Sequence, residues 1–225
     1  MTEQQAREAL VEYGRSLFLR GYSCGTSGNL SVRLPGGSGF LMSPTNVSLG
    51  RLAVDALSRL DADGRHVAGA APTKEAWLHL AMYASRPDDH AVVHLHSTYA
   101  TALSCRSDLP ADDAVAPLTP YVIMRVGRVA VVPYSRPGDT SAGGAIRELA
   151  AAHRAVLLAN HGPVVAGRDL ETAVAAAEEL EETARLLFVL EGRPYRPLTR
   201  EQIDDVERVF GAAAKPPLRT AEDPS

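Results

Sequence analysis

Two short apolar runs, each leading into histidine, constrain this chain more than any other feature of its sequence. Ala91 to His96 (AVVHLH) and Ala155 to Ala159 (AVLLA, followed by Asn160 and His161) read as buried strands of one sheet. The segments around them alternate in character. Ala6, Leu10, Tyr13 and Leu17 fall at helical spacing before Gly21. Asn29 to Leu34 alternates as a strand, with Leu30, Val32 and Leu34 on one face. The turn Pro35 to Gly37 leads into a second strand at Phe40 to Met42. After a loop, Thr73 is positioned to cap a helix through Glu75, Trp77, Leu78, Met82 and Tyr83, ending before Pro87. A short helix over Thr98 to Ser104, a strand over Val129 to Tyr134 and a helix over Ser141 to His153 complete the middle.

The last third is helical. Asp169 caps a long amphipathic helix to Glu191, and Thr199 with Gln202 forms a capping box for a final helix to Phe210. The tail from Gly211 to Ser225 is rich in Ala and Pro and is expected to be mobile. With no internal repeat and no linker, residues 1–210 are expected to form one α/β core whose sheet is not wholly parallel.

Composition narrows the function class. At 45% hydrophobic and 22% charged residues over 225 positions, disordered, collagen-like and membrane classes are excluded. The formal net charge of -4 argues against a general nucleic-acid binder but leaves room for a small anionic substrate. Cys24 and Cys105 are too few for a disulfide framework. The N-terminal segment lacks the apolar core of a signal peptide, and a cytoplasmic location is expected.

The chemistry concentrates at three places. His94 and His96 alternate on a strand, roughly 6.6 Å apart at Cα, so their imidazoles can converge on one metal ion. By itself the pair reads more readily as core histidines satisfied by the backbone. His161, displayed with Asn160 at a strand end, supplies a third imidazole, and three with an open position suit a catalytic zinc site. His66, His79, His90 and His153 have no such context and read as surface or packing residues. Glu75 stands at a helix start beside Thr73 and Lys74, where either helix-dipole stabilisation or anion binding accounts for these residue types. The loops Gly25-Thr26-Ser27-Gly28-Asn29 and Ser43-Pro44-Thr45-Asn46 are rich in donors. Each alone is an ordinary turn, but three donor-rich loops without a Walker-type lysine point to a phosphomonoester pocket.

Taken together, GTSGNLS, SPTN, PTKE, VVHLHS and LLANHGPVVAG resemble the class II aldolase and adducin head-domain family over nearly the whole chain, to about Phe210. The resemblance implies a single-domain three-layer α/β fold, with a central mixed, largely antiparallel sheet flanked by helices. It implies zinc, or another divalent metal, on His94, His96 and His161, with Glu75 as catalytic acid/base. The phosphate loops then fall on Thr26, Ser27, Gly28 and Asn29, on Ser43 and Thr45, and on Thr73 and Lys74. Homotetramers with sites near subunit interfaces are typical of the family.

PLTPYVIMRVG and VPYSRPGD narrow the resemblance to the branch that decarboxylates 3-oxo-tetronate 4-phosphates to dihydroxyacetone phosphate and CO2, through a metal-stabilised enediolate, in four-carbon acid-sugar catabolism. Tyr121 is a second candidate for proton handling, or else an interface or core tyrosine. Arg125 and Arg136 are possible carboxylate partners. Two alternatives stand beside this expectation: a sugar-phosphate aldolase of the fuculose or ribulose phosphate type, and a non-catalytic adducin-like interaction module.

Overall fold

The computed structural model describes residues 1–136 and 138–211. The expected tail therefore lies, but for Gly211, outside the described residues. Eight strands form one sheet: β1 (Asn29–Arg33), β2 (Phe40–Met42), β3 (Ser58–Leu60), β4 (His66–Ala68), β5 (Ala91–His94), β6 (Val129–Val132), β7 (Ala155–Leu158) and β8 (Gly162–Gly167). Their order is β4-β3-β2-β1-β5-β8-β7-β6. Only β6 and β7 run parallel; every other neighbouring pair is antiparallel.

Helices cover both faces. On one side lie α1 (Glu3–Leu19), α3 (Thr98–Ser104), α4 (Pro120–Arg125) and α6 (Leu170–Leu190), around a core that includes Leu10, Leu17, Leu30, Val93, Leu157 and Leu180. On the other lie α2 (Ala76–Ser85) and α5 (Gly143–Ala152), packed on Met42, Met82, Val92, Val156 and Val164. A last helix, α7 (Arg200–Phe210), begins at the expected capping box of Thr199 and Gln202. The three-layer mixed α/β fold is the one expected, and Asp169 caps α6 by accepting the Thr172 N–H.

Some expectations fail locally, for identifiable reasons. The helix α2 starts at Ala76 with Glu75 in the cap position, whereas Thr73 is two residues upstream and accepts the Glu75 N–H at 3.3 Å. Glu75 therefore precedes the first turn, and its φ of -100° and ψ of 15° lie outside the helix. The strand at 91–96 ends at His94, since the chain turns away at Leu95 toward α3. Neither β3 nor β4 stands out in the sequence: unlike the equally short but wholly apolar β2, β3 (SRL) is largely polar and β4 (HVA) is exposed throughout. Likewise β8 (GPVVAG) is framed by Gly and Pro, which read as strand breakers. The alternation of β1 is real, but both of its faces are covered. Leu30 and Val32 enter the first core, whereas Asn29 and Ser31, also buried, lie under α2.

Candidate active site

The polar ends of four elements meet at one end of the central strands of the sheet. The pairing of β1 with β5 sets Asn29 opposite His94. Beyond His94, the Leu95 N–H donates to the Pro163 carbonyl at 3.3 Å and carries the chain to His96. His161 comes from the turn between β7 and β8. That turn places Asn160 at φ 57° and is pinned by Ser104, whose carbonyl accepts the Asn160 N–H at 2.9 Å. The Ser104 hydroxyl accepts the His161 N–H at 3.1 Å. Gly162 is required here, because a Cβ would stand 2.5 Å from the Leu95 carbonyl oxygen.

As a result the three imidazoles are mutual neighbours, with ring centroids 4.8 to 4.9 Å apart. One ligand atom from each of Glu75, His94, His96 and His161 lies within 4.8 Å of all the others. His94 Nδ1 donates to the Pro163 carbonyl at 2.8 Å, so its Nε2 carries a lone pair. That lone pair faces His96 Nε2 at 3.1 Å and Glu75 Oε2 at 3.4 Å. The second carboxylate oxygen, Oε1, is 3.1 Å from His161 Nε2.

This electrostatic arrangement tests whether a metal suits the residues. Burial pushes the His94 imidazole down to about 3, against the upward pull of Glu75, so the ring stays neutral at ordinary pH. Burial, then His161, lowers His96 in the same way. The His94 lone pair, the neighbouring imidazoles and a carboxylate thus converge, with little tendency of His94 or His96 to take up a proton. A divalent cation satisfies all of them at once, and three imidazoles with one carboxylate are a suitable donor set. Burial raises the Glu75 carboxyl, but hydrogen bonds donated by the His161 ring and the Asn29 amide outweigh it and hold the group below the usual carboxylate range. Rings that give their Nε2 lone pairs to a cation no longer lower Glu75.

The three donor-rich loops gather around the same carboxylate. Gly28 (φ 78°) packs so closely on β5 that a Cβ would come within 2.9 Å of the His94 carbonyl oxygen. A bridge between Pro44 and Pro72, with the Thr45 N–H donated to the Ala71 carbonyl at 3.0 Å, brings the Ser43–Thr45 loop beside Thr73 and Lys74. Several side chains already have partners: Ser27 Oγ donates to the Cys24 carbonyl at 2.7 Å, and Ser43 Oγ accepts the Leu30 N–H at 3.1 Å. One Asn29 Nδ2 N–H donates to Glu75 Oε2 at 2.7 Å. Thr26 and Lys74 are exposed, and Thr73 is buried.

Tyr121 stands apart. It lies at the start of α4, 54% exposed, with the Arg125 guanidinium 5.3 Å from its ring centre. Among the described residues no hydrogen bond joins it to the His/Glu cluster. Arg125 itself approaches Glu179 at 3.7 Å, and Arg136 is exposed. Of the four other histidines, His66 and His90 are exposed, and buried His153 donates from Nδ1 to the Leu149 carbonyl. His79 is different: fully buried on α2, it bonds Asn29 and Ser31. Its sequence signal was slight, a histidine four residues after Glu75 on the same helical face.

Residues 8–188 match the family model of the Class II Aldolase and Adducin N-terminal domain. The chain is 49% identical over 205 residues to the 3-oxo-tetronate 4-phosphate decarboxylase of Pectobacterium atrosepticum, covering 91% of this chain and 94% of that protein. Against the protein of the same name from Haemophilus influenzae it is 49% identical, covering 92% and 98%. The crystal structure of YgbL from Klebsiella pneumoniae superposes with a TM-score of 0.89 at 50% identity, covering 92% of this chain and 99% of that one. An L-fuculose 1-phosphate aldolase structure gives 0.80 at 30% identity, covering 92% and 96%. On the extent of that match and the fold it shares with these relatives, the chain belongs to the class II aldolase and adducin family.

Proposed function

We propose that this protein is a carbon–carbon lyase that decarboxylates a 3-oxo-tetronate 4-phosphate to dihydroxyacetone phosphate and CO2. The observation that carries the reading is the 49% identity to decarboxylases of that name over nine-tenths of the chain, joined to a convergent His/Glu cluster. Zinc is the metal proposed for His94, His96 and His161, with another divalent ion as the alternative; when bound it supplies Lewis-acid stabilisation of negative charge developing on oxygen.

The residues of the chain do the rest. In the substrate the C3 carbonyl lies β to the carboxylate. The C1–C2 bond breaks, its electron pair moves into a C2–C3 double bond with charge on the C3 oxygen, and CO2 leaves. Glu75 then donates a proton to C2, which becomes the CH2OH of dihydroxyacetone phosphate, and recovers a proton from water. Backbone N–H groups and hydroxyls of Thr26, Ser27, Gly28, Asn29, Ser43, Thr45 and Thr73 hold the phosphate, and Lys74 adds a cation at the rim. Tyr121, distant in hydrogen bonding from Glu75 in one chain, is proposed to assist proton handling from a neighbouring subunit of a homotetramer. The location proposed is the cytoplasm; no helix among the described residues is long and apolar enough to cross a membrane.

Turnover assays on both C2 epimers of the oxo acid phosphate, with and without chelator, test this reading. Chelator-sensitive release of CO2 with dihydroxyacetone phosphate is expected. A second reading, aldol cleavage of a ketose 1-phosphate, is favoured by the 30% identity to the fuculose phosphate aldolase structure. Release of an aldehyde from the ketose phosphate, with no CO2 from the oxo acid, selects it instead. Purified protein that holds no metal and turns over neither substrate selects the interaction module.

A further inference from the structure

From Glu75 a chain of buried polar groups runs between β1 and α2. Glu75 Oε2 accepts from Asn29 Nδ2 at 2.7 Å. Asn29 Oδ1 meets His79 Nε2, His79 Nδ1 meets Ser31 Oγ at 2.7 Å, and Ser31 Oγ meets the Tyr83 hydroxyl at 2.8 Å. Asn29, Ser31, His79 and Tyr83 are each at most 4% exposed. Every atom in the chain has its partner, so the direction of each bond follows from its neighbour's.

An ionised carboxylate only accepts, so Asn29 must turn its NH2 toward Glu75 and its carbonyl oxygen toward α2. That oxygen also only accepts, which requires a proton on His79 Nε2. His79 is fully buried with no carboxylate against it, and burial pushes it down to about 4, partly offset by Glu75, so the ring is neutral. Nδ1 is then an acceptor and takes the Ser31 hydroxyl proton, leaving Ser31 to accept from Tyr83. Burial raises the Tyr83 phenol well above its usual value, which keeps that last donor protonated. All four bonds point one way, from Tyr83 to Glu75, and bonds aligned in this manner polarise one another.

We infer that His79 is a positioning residue for Glu75: as its Nε2–H tautomer it locks the Asn29 amide, keeps Oε2 an acceptor, and leaves Oε1, on the His161 side, as the oxygen that carries the mobile proton. This rests on the proposed role of Glu75 as the acid. Without the lock the amide can turn its oxygen toward Glu75, where two acceptors face each other and the carboxyl swings or takes its proton on the wrong oxygen. The cost falls on the proton transfer and leaves substrate binding largely alone.

The test compares His79→Leu with His79→Gln in the metal-loaded protein, because the glutamine amide keeps an N–H donor for Asn29 and leucine does not. His79→Leu is expected to lower kcat by about 10- to 100-fold, with KM within about threefold, metal content unchanged and a displaced acid limb of the pH–rate profile. His79→Gln is expected to recover most of kcat and the original profile. Equal kcat and pH profiles in wild type and His79→Leu overturn the inference, as does a His79→Gln protein no better than His79→Leu when both hold metal. If His79→Leu does not fold, Ser31→Ala replaces it, with a smaller drop in kcat at unchanged KM expected and an unchanged kcat overturning the inference. The ¹⁵N NMR spectrum of histidine-labelled protein, with His79 assigned by its loss in His79→Gln, reads the tautomer directly. Protonated Nε2 with bare Nδ1 is expected, and protonated Nδ1 overturns the lock. Wild-type protein inactive on the oxo acid sinks the decarboxylase reading alone, since the tautomer is measured without substrate.

Discussion

At Glu75, the His94 lone pair, the His96 and His161 rings and the carboxylate converge within 4.8 Å of one another. Through Asn29 the same carboxylate joins His79 in a chain where each donor meets one acceptor. Both clusters are polar, histidine-bearing and largely buried, yet the first is short of positive charge and the second is complete. Buried polar groups cost free energy unless satisfied. An incomplete set therefore marks a place built for a ligand, and a complete one marks a place that holds something else still. Glu75 is the group the two share, and Asn29 passes the rigidity of the second cluster to that carboxylate.

Breaking the incomplete cluster should have the largest effect. His94→Ala is expected to strip the metal and lower turnover by about a thousandfold, measured by metal analysis and a CO2 assay; full metal content in the variant would erase the distinction. Glu75→Gln should keep the metal on the three imidazoles yet lower kcat by about 10²- to 10³-fold and flatten the pH–rate profile. An unchanged profile would remove Glu75 from the proton transfer.

The complete cluster should answer in stability as well as in kcat. Ser31→Ala leaves His79 Nδ1 and the Tyr83 hydroxyl without their partner, and the expected cost is about 1–3 kcal/mol in denaturant unfolding. Lys74→Ala, at an exposed position outside both clusters, should do least: KM raised by about threefold and kcat unaltered.

Acid sharpens the comparison. Unfolded histidine titrates near 6.5, whereas folded His79 and His94 resist protonation down to about 4 and about 3. Between these values the unfolded chain binds more protons, so this part of the stability is intact above about 6.5 and is lost as the pH falls. Glu75 acts in the same direction at lower pH. Its contribution is present above the ordinary value of 4.5 and disappears as the pH falls through its lowered folded value. The melting temperature of chelator-treated protein should therefore fall from pH 7.5 toward 4.5, less steeply in His79→Gln. A flat or rising curve would contradict the buried, neutral state of both rings.

Much of this arrangement is legible in the sequence for local reasons. The strands carrying His94 and His161 are short apolar runs, the caps of α6 and α7 are plain side-chain motifs, and the donor-rich loops sit where Gly, Ser, Thr and Asn interrupt the apolar pattern. His79 is not legible in this way, because its neighbours in the chain are apolar residues of an ordinary buried helix. Its partners Asn29 and Ser31 are about 50 residues away, on a strand whose alternation reads only as one polar face. Glu75 is recognisable as a candidate, but its position at the helix cap is set by the groups that grip its side chain. Tyr121 reads as a proton-handling candidate, and a single copy of the fold leaves it exposed.

What the sequence determined by itself is periodicity and composition: an α/β core whose sheet is not wholly parallel, and histidines at the ends of two of its strands. Those follow from short-range pattern, since apolar spacing and capping are properties of neighbouring residues. Tertiary structure alone decided which histidines face one another, which way the Asn29 amide points, and which oxygen of Glu75 it holds. These depend on strand register and on desolvation, and both arise only when β1, β5, β8 and α2 close around the same small volume.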